Sequence, residues 1–157
     1  MSDHVLVCPH CLALNNLSQS ELLNLPLCFE CDSELLPQKP IEANKKCFIQ
    51  YITHSTLPIV VDFWGTWSGS GYDMADTFVS LADTFKNDAL FLRINSEQEQ
   101  VLANDYKLLD IPTFIIFTSG LEYHRLHGVI SEYEFHIWLE RYLRIKRKKA
   151  THRPSSV

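Results

Sequence analysis

The chain has 157 residues, 46% of them hydrophobic, enough for one ordinary domain with a small appendage and too apolar for global disorder. Its 14 Lys and Arg stand against 19 Asp and Glu, but unevenly: the balance is −12 up to Glu140 and +7 over the last 17 residues. No run approaches the roughly 18 apolar residues that cross a bilayer, and Met1-Ser2-Asp3-His4 begins no secretory signal, so the expectation is no membrane partner and a reducing cytoplasm.

Residues 1–36 read as one unit, holding four of the five cysteines and closed by a linker at 37–40, Pro37-Gln38-Lys39-Pro40. Cys8-Pro9-His10-Cys11 and Cys28-Phe29-Glu30-Cys31 give C-x2-C-x16-C-x2-C. Two thiolates separated by two residues can grip one metal ion from a tight turn, and two such turns supply the tetrahedral set that zinc prefers. The spacing therefore predicts a zinc ribbon with one structural ion on Cys8, Cys11, Cys28 and Cys31. Two disulfides or four free thiols are the alternatives; a cytoplasmic chain disfavours the disulfides. A segment this poor in core residues draws much of its folding energy from the metal. His10 is expected to be a bystander, and Cys47 a buried or partly buried small hydrophobe.

The remainder alternates strands and helices. Ile41 to Ala43 reads as a short strand. Residues 45–54 read as a helix with Phe48, Ile49 and Ile52 on one side. Leu57 to Trp64 is an apolar run cut only by Asp62, as in a buried central strand. A helix after Gly71 would place Met74, Phe78, Leu81, Ala82 and Phe85 on one face. Leu90 to Asn95 is another strand, and 97–107 a helix with Val101, Leu102 and Tyr106 inward. Ser119-Gly120 marks a hairpin between Thr113 to Thr118 and Leu121 to His127. Ser131 opens the last helix with Glu134 as its capping box, and Phe135, Trp138, Leu139 and Tyr142 form its stripe. The order predicts an α/β domain over 41–146, a mixed sheet flanked by helices. A basic tail over 147–157 follows. A cationic helix end is favoured by the dipole, and nucleic acid is disfavoured by the acidic body.

Pro58-Ile59-Val60-Val61-Asp62-Phe63-Trp64-Gly65-Thr66-Trp67-Ser68-Gly69-Ser70-Gly71 resembles the active-site strand and turn of thioredoxins, whose pattern is V-D-F-W-A-x-W-C-G-P-C. Asp110-Ile111-Pro112-Thr113-Phe114 resembles the family's I-P-T loop, where the proline peptide is cis. Ser119-Gly120 stands at its N-G hairpin and Gly128 at the glycine after the last strand. With the cysteine-rich segment, the chain is similar to the subfamily with an N-terminal zinc finger, often called thioredoxin 2. The resemblance implies the thioredoxin fold. It also implies a substrate groove at Trp67, Gly69, Ser70, Ile111, Pro112, Thr113, Gly128 and Val129. Asp62 matches the family's buried carboxylate, and Arg93 aligns with the lysine near it, which predicts a buried ion pair.

The departure is chemical. Ser68 and Gly71 stand where the family has its two cysteines, and neither can form a disulfide. The expectation is a non-enzymatic module that binds a protein or extended peptide through the former groove; oligomeric state is not legible. Alternatives are a redox protein or redox-regulated holdase using the ribbon thiols, and a serine-dependent glutathione-binding enzyme. A hydrolase is not supported, because Ser68 lacks a nucleophile elbow.

Overall fold

The computed structural model describes residues 4–66 and 74–144. Trp67, Ser68, Gly69, Ser70 and Gly71, and the basic segment 147–157, lie outside the described residues.

The cysteine-rich segment contains a hairpin that the sequence pattern did not reveal. Strands β1 (His4–Val7) and β2 (Leu14–Leu17) pair antiparallel, with Leu6 opposite Asn15 and His4 opposite Leu17. A single-turn helix α1 (Gln19–Leu22) follows, opened by a capping box in which Ser18 and Glu21 satisfy each other's backbone N–H.

The second sheet has five strands in the order β3 (Ile41–Glu42), β5 (Leu90–Asn95), β4 (Ile59–Trp64), β6 (Thr113–Thr118), β7 (Leu121–His127). β4 runs parallel to β5 and antiparallel to β6, so the sheet is mixed, as expected. Helices α2 (Lys45–His54), α3 (Ala75–Thr84), α4 (Gln100–Asp105) and α5 (Glu132–Leu139) complete the domain, with a π-helical turn over Glu140–Arg144. Asn44 caps α2 by accepting from the Cys47 N–H at 2.8 Å, and Ser131 with Glu134 forms the expected capping box of α5. The β6–β7 turn has positive φ at both Ser119 (53°) and Gly120 (81°), the geometry that matches the twist of a two-residue hairpin.

The period of two along each strand sorts the core into two layers. Ile59, Val61, Phe63, Leu92, Ile94, Ile115 and Phe117 face Phe48 and Tyr51 of α2 and Leu102 of α4. Val60, Phe91, Phe114 and Ile116 face Phe78 and Leu81 of α3 and Phe135, Trp138 and Leu139 of α5. Leu6, Val7, Cys8, Leu17, Leu22, Cys28 and Leu35 belong to the first layer, so the cysteine-rich segment packs on the α2 side in one continuous core.

Two helical faces differ from the sequence expectation. Phe48 and Cys47 are buried as read, but Ile49 is 43% exposed and Tyr51 takes its place on the inward face of α2. That choice adds a face for the ribbon, a contact that periodicity over a single helix does not contain. Val101 is 52% exposed, because α4 spans only Gln100–Asp105 and one turn buries one residue well, Leu102.

Candidate functional site

Cys8, Cys11, Cys28 and Cys31 converge. Their sulfurs all lie within 4.8 Å of one another, with Cys8 to Cys31 at 3.5 Å and Cys11 to Cys28 at 3.6 Å. Four thiolates at about 2.3 Å around a tetrahedral zinc stand about 3.8 Å apart. The donor set therefore fits a tetrahedral, thiophilic metal ion.

The two Cys-x-x-Cys turns are built alike. In the first, the Cys8 N–H donates to Ala13 C=O (2.9 Å), the Leu12 N–H to Cys8 C=O (3.0 Å), and the N–H groups of His10 and Cys11 to Cys8 Sγ. In the second, the Cys28 N–H donates to Ser33 C=O (2.8 Å), the Asp32 N–H to Cys28 C=O (2.9 Å), and the Glu30 N–H to Cys28 Sγ (3.4 Å). Each turn closes on a left-handed residue, Leu12 at φ 64° and Asp32 at φ 62°. Holding non-glycine residues there costs about 1–3 kcal/mol each, which the surrounding contacts must offset.

Electrostatics of the cluster follow from these donors. Burial opposes ionisation of Cys28, but the N–H groups of Glu30 and Cys31 and the Asn15 amide outweigh it and bring its thiol down to about 6. At Cys11 the Ala13 N–H favours the thiolate, yet burial and the neighbouring sulfurs outweigh it and push the thiol up to about 12. His10 is exposed and contributes only its backbone N–H. Cys47 lies apart in α2, 8% exposed, its thiol pushed up to about 11 by burial.

Across the sheet, on the α3 side, the parallel register sets Asp62 of β4 beside Arg93 of β5, and Arg93 beside Glu42 of β3. Arg93 Nε donates to Asp62 Oδ2 at 3.1 Å, with the two side chains 11% and 1% exposed. Its Nη1 stands 3.6 Å from Glu42 Oε1, and the guanidinium lies 4.9 Å from the Trp64 ring centroid. Glu42 and Trp64 were not singled out in the sequence, although a strand register read in advance would have placed both near Arg93.

Beyond the C-terminal end of β4, the Ile111–Pro112 peptide bond is cis and the Gly128 N–H donates to Pro112 C=O at 2.8 Å. Of the eight residues that the resemblance assigns to a groove, Ile111, Pro112, Thr113, Gly128 and Val129 are thereby placed; Trp67, Gly69 and Ser70 lie outside the described residues. Thr113 is fully buried, and its hydroxyl donates to Asp110 C=O, so it presents no side chain outward. Val129 is 46% exposed, and Leu109, two residues before Ile111 and missed in the sequence, is 84% exposed. Gly128 has φ 81°, a conformation that favours glycine.

Comparison with known proteins decides the family: the thioredoxin profile matches residues 39–141. The chain belongs to the thioredoxin family. It is 31% identical to Thioredoxin C-3 of Corynebacterium nephridii over 139 residues, 88% of this chain and 95% of that protein. That alignment is too long to fit within the profile match and the residues after it, so it reaches back into the cysteine-rich segment. Thioredoxin Y1, chloroplastic, of Arabidopsis thaliana is 29% identical over 68% of this chain and 63% of its own length. A solved mutant thioredoxin from Halobacterium salinarum superposes with a TM-score of 0.60 at 20% identity, covering 68% of this chain and 93% of that one, a likeness of fold. The thioredoxin-family domain is thus a mixed sheet flanked by helices, and among the described residues no helix is long and apolar enough to cross a membrane.

Proposed function

We propose that this thioredoxin-family protein is a non-catalytic docking module with a structural zinc ribbon, working in the cytoplasm. The placement of its cysteines carries the reading. Four of the five surround one point and the fifth, Cys47, is buried with its thiol held protonated. Trp67-Ser68-Gly69-Ser70-Gly71, where the family pattern carries its redox pair, contains none. The Ser68 hydroxyl is far less acidic than a thiol and forms no disulfide, and Gly71 offers no side chain, so dithiol exchange has no reacting atoms there.

Cys8, Cys11, Cys28 and Cys31 would hold the zinc. Four thiolates close the coordination sphere, so the ion supplies folding energy rather than an activated water. For docking, an extended peptide would lie along Ile111, Pro112, Gly128 and Val129; the family resemblance adds Trp67, Gly69 and Ser70 to that groove. Backbone groups would give pairing, and Val129 and Leu109 apolar contact.

The zinc-loaded protein should give no turnover in insulin-disulfide reduction; robust turnover that survives Cys47→Ala overturns the non-catalytic reading. A Trp67→Ala, Ile111→Ala double variant should fold, keep its zinc and lose its bound partners in a pull-down; an unchanged partner set counts against the groove.

A second reading has one observation in its favour. Cys8 faces Cys31 and Cys11 faces Cys28 at 3.5 and 3.6 Å, so a peroxide, reduced to water, could oxidise either pair of thiolates to a disulfide and release the metal. A ribbon that retains zinc under excess peroxide excludes this switch.

A further inference from the structure

We infer that Asn15 is a positioning residue of the metal site, a buried amide that orients the Cys28 sulfur and ties the two cysteine turns together. The inference rests on the metal reading above. Asn15 is 1% exposed, on β2 between outward-facing Leu14 and Asn16. The next inward position of that strand is Leu17, 2% exposed. A residue needed only to fill this space would be apolar, because burying a carboxamide is costly unless its polar groups are met.

They are met, and by both turns. Asn15 Nδ2 donates to Ala13 C=O at 3.2 Å and to Cys28 Sγ at 3.6 Å, and Oδ1 accepts the Phe29 N–H at 2.9 Å. The amide orientation is fixed by this set: only an oxygen can receive the Phe29 N–H, which turns the NH2 towards the sulfur. Ala13 closes the first turn, and Cys28 and Phe29 open the second. One side chain therefore spans the sixteen-residue separation between Cys11 and Cys28 that the sequence leaves to chance. Its N–H draws charge from the Cys28 sulfur and would hold that sulfur in place for a bound metal. Outer partners of this kind typically change metal affinity by about 10–100-fold.

The test uses the full chain loaded with zinc and a chelating dye in excess. Asn15→Asp keeps an acceptor for Phe29 but turns an oxygen, without a proton, towards the sulfur; Asn15→Leu removes both functions. Each should release zinc about 10-fold faster or more. With cobalt in place of zinc, the sulfur-to-metal charge-transfer band of Asn15→Asp should move to lower energy, a shift that a purely structural role would not produce. Release at the wild-type rate with an unmoved band overturns the inference. If Asn15→Asp does not fold, Asn15→Ser replaces it with the same expected and overturning results. A wild type that takes up no zinc overturns the metal reading and this inference together; a wild type that holds zinc beside an unaffected variant overturns this inference alone.

Discussion

Replacing Arg93 should be far more costly than replacing Glu42, the exposed member of its two ion pairs. Asp62 is 1% exposed and receives the Arg93 Nε at 3.1 Å, whereas Glu42, at 3.6 Å from the same guanidinium, is 64% exposed. The two contacts therefore differ in kind. Removing one partner of a buried pair costs about 3–5 kcal/mol, while an exposed pair contributes about 0–1 kcal/mol. Arg93→Met should lower the melting temperature by about 6–20 °C, taking about 2–4 °C per kcal/mol at this chain length. Glu42→Gln should move it by less than about 4 °C on the same scale. The double variant Asp62→Leu, Arg93→Met removes both charges and should recover wild-type stability or exceed it by about 1–4 kcal/mol. Thermal and urea unfolding at neutral pH, followed by circular dichroism with zinc held in fixed excess, read the two scales and keep any contribution of a bound metal constant. A loss under about 1 kcal/mol for Arg93→Met, or no recovery in the double variant, would refute a dry ion pair.

Cys47 should resist iodoacetamide in the native protein at pH 8 and react once urea opens the core. Its folded-state thiol is raised to about 11 by burial, so the unfolded chain ionises first, and stability falls as pH rises from about 9 towards 11. Equal alkylation of native and unfolded protein would contradict that burial. Tyr51 is fully buried, and its hydroxyl has no hydrogen-bond partner among the described residues. Tyr51→Phe should therefore leave stability unchanged or raise it by roughly 1 kcal/mol, and a loss of that size in a melting experiment would show that the hydroxyl is paired.

The parts that were legible in the sequence are those where one element carries its own signal. The capping box at Ser131 and Glu134, the Ser119-Gly120 hairpin and the strand Leu90–Asn95 depend on neighbours within a few residues, and each appears as read. What escaped depends on partners far away in the chain. Tyr51 displaces Ile49 from the inward face of α2 because the cysteine-rich segment packs there, with Gln50 Nε2 donating to Leu12 C=O at 3.3 Å. Asn15 carried a signal, a polar residue in phase with Leu17, but only a strand assignment for Leu14–Leu17 makes that phase visible. For the candidate site, spacing alone grouped the four cysteines, whereas the Arg93 contacts with Glu42 and Trp64 required strand order.

The same sheet separates the two sites, and this decides what metal removal should do. Cys8 and Cys28 share a core layer with Phe48, Tyr51, Ile59, Val61 and Phe63, while Asp62 projects to the opposite layer with Val60, towards α3 and α5. A metal held by the four cysteines would therefore bear directly on α2 and only indirectly on Asp62, Arg93 and α5. Chelation should deprotect the amides of β1, β2 and the ribbon-facing side of α2 in hydrogen exchange, and leave β6 and α5 at native protection. The boundary should fall near Thr56, whose N–H donates to Val5 C=O at 3.1 Å and links the ribbon to the loop before β4. Loss of protection spreading evenly through α5 would mean that the ribbon and the domain unfold as one unit, and that the shared layer, rather than the sheet, sets the cooperative boundary.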